Sequence, residues 1–193
     1  MIKAETLDKT TVINILSSSF DDNQSVNFIV HQDKKRTKRI QALMDYSFEV
    51  CRLFGEVWLS DDRKACALIL YPHLKRTTLK TIWFDIGLII QTIGFEGIGK
   101  ALNREAKIRS LQPKEKMTYL WFVGVDPEFQ NRGIGSKLIK EVISNSIKQH
   151  LPIYLETSTL KNIPWYESFG FRIYNQLDLG YALFFLKKGQ DKE

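Results

Sequence analysis

Between residues 118 and 149 a run of apolar residues stops at Asp126-Pro127, a loop with two closely spaced glycines follows, and an amphipathic helical pattern begins. A strand that feeds a glycine loop at the head of a helix restricts a chain sharply, because it aims backbone amides at one spot. The first N–H groups of a helix have no intrahelical acceptor, and the helix dipole makes that end attractive to anions. Glycine removes the Cβ that would hold a phosphate away from the backbone. The stretch Val123-Gly124-Val125-Asp126-Pro127-Glu128-Phe129-Gln130-Asn131-Arg132-Gly133-Ile134-Gly135-Ser136 is suited to cradling a pyrophosphate. It is not a Walker loop, whose G-x-x-x-x-G-K-[ST] spacing is absent. The dinucleotide fingerprint G-x-G-x-x-G fails at its third glycine, which is Leu138.

Periodicity supplies the surroundings. A strand is expected at 2–5, a helix capped by Asp8 or Thr10 with Val12, Ile15, Leu16 and Phe20 on one face, and a second helix over 33–54. Strands follow at 56–60 and 64–71 around the Asp61-Asp62 turn, then at 118–125, 153–156, 172–177 and 181–186. Helices are expected at 133–149 and 163–169, and residues 72–115 read as helical segments broken by glycines. No repeat or linker divides the chain. The expectation is one α/β domain over 1–193: N-terminal strands and helices (1–71), a helical insertion (72–117) between the third and fourth strands, and a core (118–186).

Bulk properties exclude more than they select. Two cysteines, Cys51 and Cys66, lack metal-ligand spacing and imply no disulfide framework, which fits a reduced cytoplasmic setting. His31, His73 and His150 show no zinc spacing, so no metal is implied. Residues 82–98 are apolar but carry Asp85, Gln91, Glu96 and three glycines, short of a clean membrane span. The N-terminus has no apolar signal region. A net charge of +6 favours anionic ligands without choosing among them. The run from Lys34 to Arg39 precedes an amphipathic helix and reads as its solvated face rather than a specific nucleic-acid site.

A second block lies downstream of the glycine loop: Leu155-Glu156-Thr157-Ser158, then Asn162-Ile163-Pro164-Trp165-Tyr166-Glu167-Ser168-Phe169-Gly170-Phe171. Gln130-Asn131-Arg132-Gly133-Ile134-Gly135 resembles the Q/R-x-x-G-x-G/A signature of the GNAT acetyltransferases, and the second block resembles their N-x-x-x-Y-x-x-x-G-F. Two motifs in order are more specific than either alone. The L-E-T-S run with N-x-P-x-Y is most similar to the puromycin N-acetyltransferase group. The resemblance covers about 119–171. It implies a GNAT fold, with a mixed, mostly antiparallel central sheet flanked by helices. It also implies acetyl-CoA as co-substrate, its pyrophosphate at Gln130, Asn131, Arg132, Gly133, Ile134, Gly135 and Ser136, and its pantetheine arm against the backbone of Val123, Gly124 and Val125.

The chemistry of amine acylation, read beside the resemblance, suggests roles for particular residues. Tyr166 is the candidate general acid for the departing thiolate, since a phenol stays protonated at neutral pH; the competing reading is packing of its helix. Glu156 is the candidate base, directly or through water, against a salt-bridged glutamate. The fourth strand, Tyr119-Leu120-Trp121-Phe122, lacks the carboxylate that many GNAT enzymes place there. Val125 N–H is a candidate oxyanion donor. Asn162 either bonds the pantetheine arm or caps its helix. With no cysteine in either motif, direct transfer in a ternary complex is favoured over an acetyl-enzyme. The acceptor is expected to be a small-molecule primary amine, with Trp83 and Phe84 of the insertion forming an apolar pocket beside Tyr166. Peptide or protein amines, a silent acyl-CoA-binding domain, and an insertion that serves a homodimer are the alternatives.

Overall fold

A computed structural model describes residues 1–189. Seven strands form one sheet in the order β1-β2-β3-β4-β5-β7-β6: β1 Ile2–Lys3, β2 Gly55–Leu59, β3 Ala65–Leu70, β4 Thr118–Val125, β5 Ile153–Thr157, β6 Arg172–Asp178 and β7 Ala182–Lys188. Every pairing is antiparallel except β4 with β5. Alternation along β3 sorts the core. Cys66, Leu68 and Leu70 face α1 (Lys9–Ser19) and α3 (Arg36–Phe54), whereas Ala65, Ala67 and Ile69 face α6 (Ile134–Lys148). Cys51 and Cys66 are free, buried thiols.

The 72–117 insertion lies between β3 and β4. It holds α4 (Leu79–Leu88), a π-turn continuation (Ile89–Ile93), a break at Gly94, where φ is +73°, and α5 (Ile98–Leu111). Three local expectations are corrected. Asp8 does not cap α1: its carboxylate accepts from Glu5 N–H at 2.9 Å and pairs with Arg63 at 2.7 Å, closing a short 3-10 turn. The second long helix begins at Arg36 because Asp33 accepts from Lys35 N–H and Arg39. An additional short helix, α2 (Gln24–Ile29), is capped by Asn23, which accepts from Val26 N–H. In the basic run, Arg36 turns inward to Asp21 and Arg39 pairs with Asp33.

The feature that positions the site is a divergence. β4 and β5 pair only at Thr118↔Ile153 and Tyr119↔Tyr154, and beyond Tyr119 the strands part. Opposite β3, the register steps from Leu68↔Phe122 to Ile69↔Leu120, so Trp121 is an extra residue in β4. Such a bulge bends and twists its strand. It also puts consecutive aromatics, Trp121 and Phe122, on the α1/α3 side, where they meet Tyr46 and Phe20 edge-on.

Candidate active site

Beyond Tyr119, the edge of β4 that faces β5 has no strand partner. Asp126 N–H donates to Lys64 O beside β3, and neighbouring residues of a strand address opposite edges. Val125 therefore turns its N–H toward the gap. Its carbonyl, on the same edge, accepts from Gln130 Nε2 at 3.2 Å and lies 2.7 Å from Ser19 Oγ. Gly124 faces α1 so closely that a Cβ would come within 3.0 Å of Leu16 and 3.1 Å of Ser19.

The loop folds as its glycines require. Asn131 and Gly133 take positive φ, +60° and +78°, and Gly133 caps α6 without a side-chain bond. The first intrahelical bond runs from Lys137 N–H to Gly133 O. The amides of Ile134, Gly135 and Ser136 thus have no acceptor among the described residues and point out of the helix end. A Cβ on Gly135 would press Val125 Cγ2 at 3.0 Å, so β4 and α6 meet with no space for a side chain there. Ser136 Oγ accepts from Trp165 Nε1 at 3.0 Å, which ties α7 (Ile163–Glu167) to the same corner. Arg132 stacks on Phe129 and donates to Glu128 O.

Tyr166 sits in the core on the α6 face, against Trp165 and Phe171. Its hydroxyl has no hydrogen-bond partner among the described residues, and burial pushes the phenol's pKa up. The phenol is thus a protonated group without a hydrogen-bond acceptor among the described residues. Asn162 precedes α7 but its side chain makes no capping bond, which leaves the amide free for another partner.

Glu156 lies on the other face. Its neighbours along β5, Leu155 and Thr157, alternate away from it, and its carboxylate accepts from Tyr119 Oη at 2.5 Å and Gln112 Nε2 at 2.8 Å. Burial raises its pKa, opposed by those two bonds and by the Arg104 charge. Arg104 in turn donates to Tyr181 Oη and Ser25 Oγ, joining α5 to α2 and to the turn between β6 and β7. Tyr166 and Glu156 therefore lie on opposite faces of the sheet, the phenol on the α6 side and the carboxylate on the α1/α5 side.

The expectation that Trp83 and Phe84 stand beside Tyr166 is corrected. Consecutive helix positions diverge by about 100°, so Phe84 packs into the α1/α3 core and Trp83 faces solvent. That core lies across the sheet from Tyr166. The α1/α3 side is instead lined by Tyr46, Tyr119, Trp121 and Phe122, with Asp85 accepting from Tyr46 Oη at 2.8 Å. Sequence reading did not single out Tyr119, Gln112, Tyr46 and Asp85, whose hydrogen bonds the structure brings to this side. The only local signal was the Tyr-Leu-Trp-Phe run, whose paired aromatics mark the bulge.

Comparison with known proteins accords with this geometry. Residues 91–173 match the family model described as an acetyltransferase (GNAT) domain. An uncharacterized N-acetyltransferase of Schizosaccharomyces pombe is 47% identical over 58 residues, which are 30% of this chain and 23% of that protein, so the match spans about a quarter of the curated relative. The structure is similar to that of a histone acetyltransferase HPA2 and related acetyltransferase from Corynebacterium glutamicum, with a TM-score of 0.71 and 16% identity over 100% of this chain and 96% of the other. It is similar also to arylalkylamine N-acetyltransferase 2 from Aedes aegypti, with a TM-score of 0.62 and 16% identity over 98% of each chain. The structural likeness shows the GNAT acetyltransferase fold, and the family model matches one stretch of it, residues 91–173.

Proposed function

We propose that the chain is an acetyl-CoA-dependent N-acetyltransferase that acts on the primary amine of a small molecule by direct transfer in a ternary complex. The observation that carries this reading is the gap between β4 and β5, with amides at one end that have no acceptor among the described residues. Tyr166 and Glu156, on opposite faces of the sheet, are the groups we assign to its chemistry. Ile134, Gly135 and Ser136 offer three unsatisfied N–H groups at a helix N-terminus, the arrangement a pyrophosphate requires. The free edge of β4 at Val123, Gly124 and Val125, together with the Asn162 amide, suits the pantetheine arm. Gln130, Asn131 and Arg132 shape the loop, and Arg132 adds positive charge beside it.

Acetyl-CoA supplies an activated thioester. An aliphatic amine has a pKa of about 10 and must lose a proton before it attacks. Glu156, its pKa raised by burial, takes that proton directly or through water. Val125 N–H donates to the carbonyl oxygen that gains charge during transfer. Tyr166 gives its proton to the departing sulfur.

The acceptor enters from the α1/α3 side, where Tyr46, Tyr119, Trp121 and Phe122 offer aromatic surface, with Phe84 behind them. Aromatic walls and two carboxylates fit a small cationic amine. The L-E-T-S and N-x-P-x-Y resemblance to the puromycin N-acetyltransferase group favours an aminoacyl-like or drug-like one. Buried, unpaired thiols fit a cytoplasmic setting. The test is a library of primary amines incubated with acetyl-CoA, reading CoA thiol release. Amine-dependent release by small molecules supports the proposal. Release only with peptides or proteins redirects it, and acetyl-CoA binding without release by any amine class marks a silent domain.

A further inference from the structure

One helical run in the insertion is apolar on two sides. From Leu79 to Ile93 it turns Thr81, Phe84 and Leu88 toward α3 and the core. Leu79, Ile82, Trp83, Ile86 and Ile90, spaced three or four apart, share the other side and are all exposed, Leu79 at 80% and Trp83 at 71%. Phe95, just past the break at Gly94, is 77% exposed. A helix apolar all round is normally covered all round, and a contiguous exposed apolar patch marks a contact surface.

Charge says what covers it. Residues 72–117 carry nine Lys and Arg against four Asp and Glu, most of the chain's net charge of +6. Lys75, Arg76 and Lys80 are exposed at the head of α4. Three of the four acids are engaged, Asp85 by Tyr46, Glu105 by Arg109 and Glu115 by Tyr154.

We propose that this face of α4 docks on an anionic membrane surface. Leu79, Trp83, Ile86 and Ile90 enter the boundary between headgroups and acyl chains, and Lys75, Arg76 and Lys80 meet lipid phosphates. Apolar residues with tryptophan on one side and lysine or arginine at the flank define a helix that lies in the membrane interface, and anionic leaflets attract such basic segments. The helix lies on the bilayer and does not cross it. Its length, at 1.5 Å per residue, is about 22 Å against a hydrocarbon core of about 30 Å. Among the described residues no single helix is long and apolar enough to span, and the helical run that follows leaves at 104°. A second copy of this chain is the poorer occupant. A two-fold contact with the helices parallel would bring these cations against their own equivalents.

Vesicle co-sedimentation decides it, with phosphatidylcholine alone and with about one-third phosphatidylserine. The expected result is at least roughly ten-fold stronger partitioning onto anionic vesicles, weakened by high salt. Two variants, Leu79→Ser/Trp83→Ser and Lys75→Glu/Arg76→Glu/Lys80→Glu, each lose about ten-fold or more with unchanged circular dichroism. Absent or composition-independent binding overturns the proposal, as does binding that survives in both variants. So does a dimer in sedimentation velocity that Leu79→Ser/Trp83→Ser converts to monomer, because the face is then a self-interface.

Discussion

The β4–loop–α6 corner and the 72–117 insertion pose opposite problems of recognition. At the corner, contacts come from backbone: three free amides, an open strand edge, and glycines where a Cβ would intrude or a positive φ is needed. On the proposed acceptor side, contacts come from side chains brought together from α3, α4, α5, β4 and β5. A constant ligand such as a pyrophosphate is met by a geometry that few sequences adopt. A variable acceptor is met by side chains that any sequence can change. The corner therefore carries motifs, and the acceptor side carries composition alone.

The largest effect that would sharpen this contrast is at Tyr166. Tyr166→Phe keeps the ring in its core but removes the proton, so kcat should fall by about 10²-fold to 10⁴-fold with acetyl-CoA affinity unchanged by calorimetry. Wild-type turnover would return Tyr166 to a packing role. Glu156→Gln should lower kcat/KM by about 10²-fold at neutral pH. That defect should shrink at high pH, where the amine is already free, and a pH-independent defect would point to lost binding instead.

Phe84→Ala should raise the acceptor KM by about ten-fold at constant acetyl-CoA affinity, whereas Trp83→Ala, facing solvent, should change it less than about two-fold. Equal effects would break the division of α4 into an inner and an outer face. The smallest effect concerns Tyr119, which positions Glu156. Its hydroxyl donates to the carboxylate form, so Tyr119→Phe disfavours that form and raises the Glu156 pKa further. Gln112, Arg104, Glu105 and Tyr174 remain around it. The acid limb of kcat/KM should move up by about one pH unit. A lower plateau with an unmoved limb would show a purely structural role.

The same contrast explains what the sequence disclosed. β4 is legible to the residue, because a buried strand ending at Asp-Pro leaves little freedom, and the loop and the start of α6 follow from the local glycines. The strand divergence was reachable only through resemblance, since no residue of β5 announces where pairing stops. Tyr119, Tyr46 and Gln112 were not legible, for each matters through a partner 37 to 44 residues away. Trp83 and Phe84 were placed in the correct insertion. Their separation to opposite sides needed the helix phase, which the glycine-rich 72–117 pattern left open.

The most direct test of the corner as the acetyl-CoA site is a calorimetric titration of acetyl-CoA into the wild type, Gly133→Val and Gly135→Val, each first shown to be folded. Gly133 takes a φ of +78°, which a β-branched residue adopts only under strain, and its displacement re-aims the free amides. Gly135→Val forces the helix end away from Val125. The account predicts micromolar or tighter binding by the wild type, about ten-fold weaker binding by Gly135→Val, and a larger loss in Gly133→Val. Wild-type affinity in both variants would contradict it.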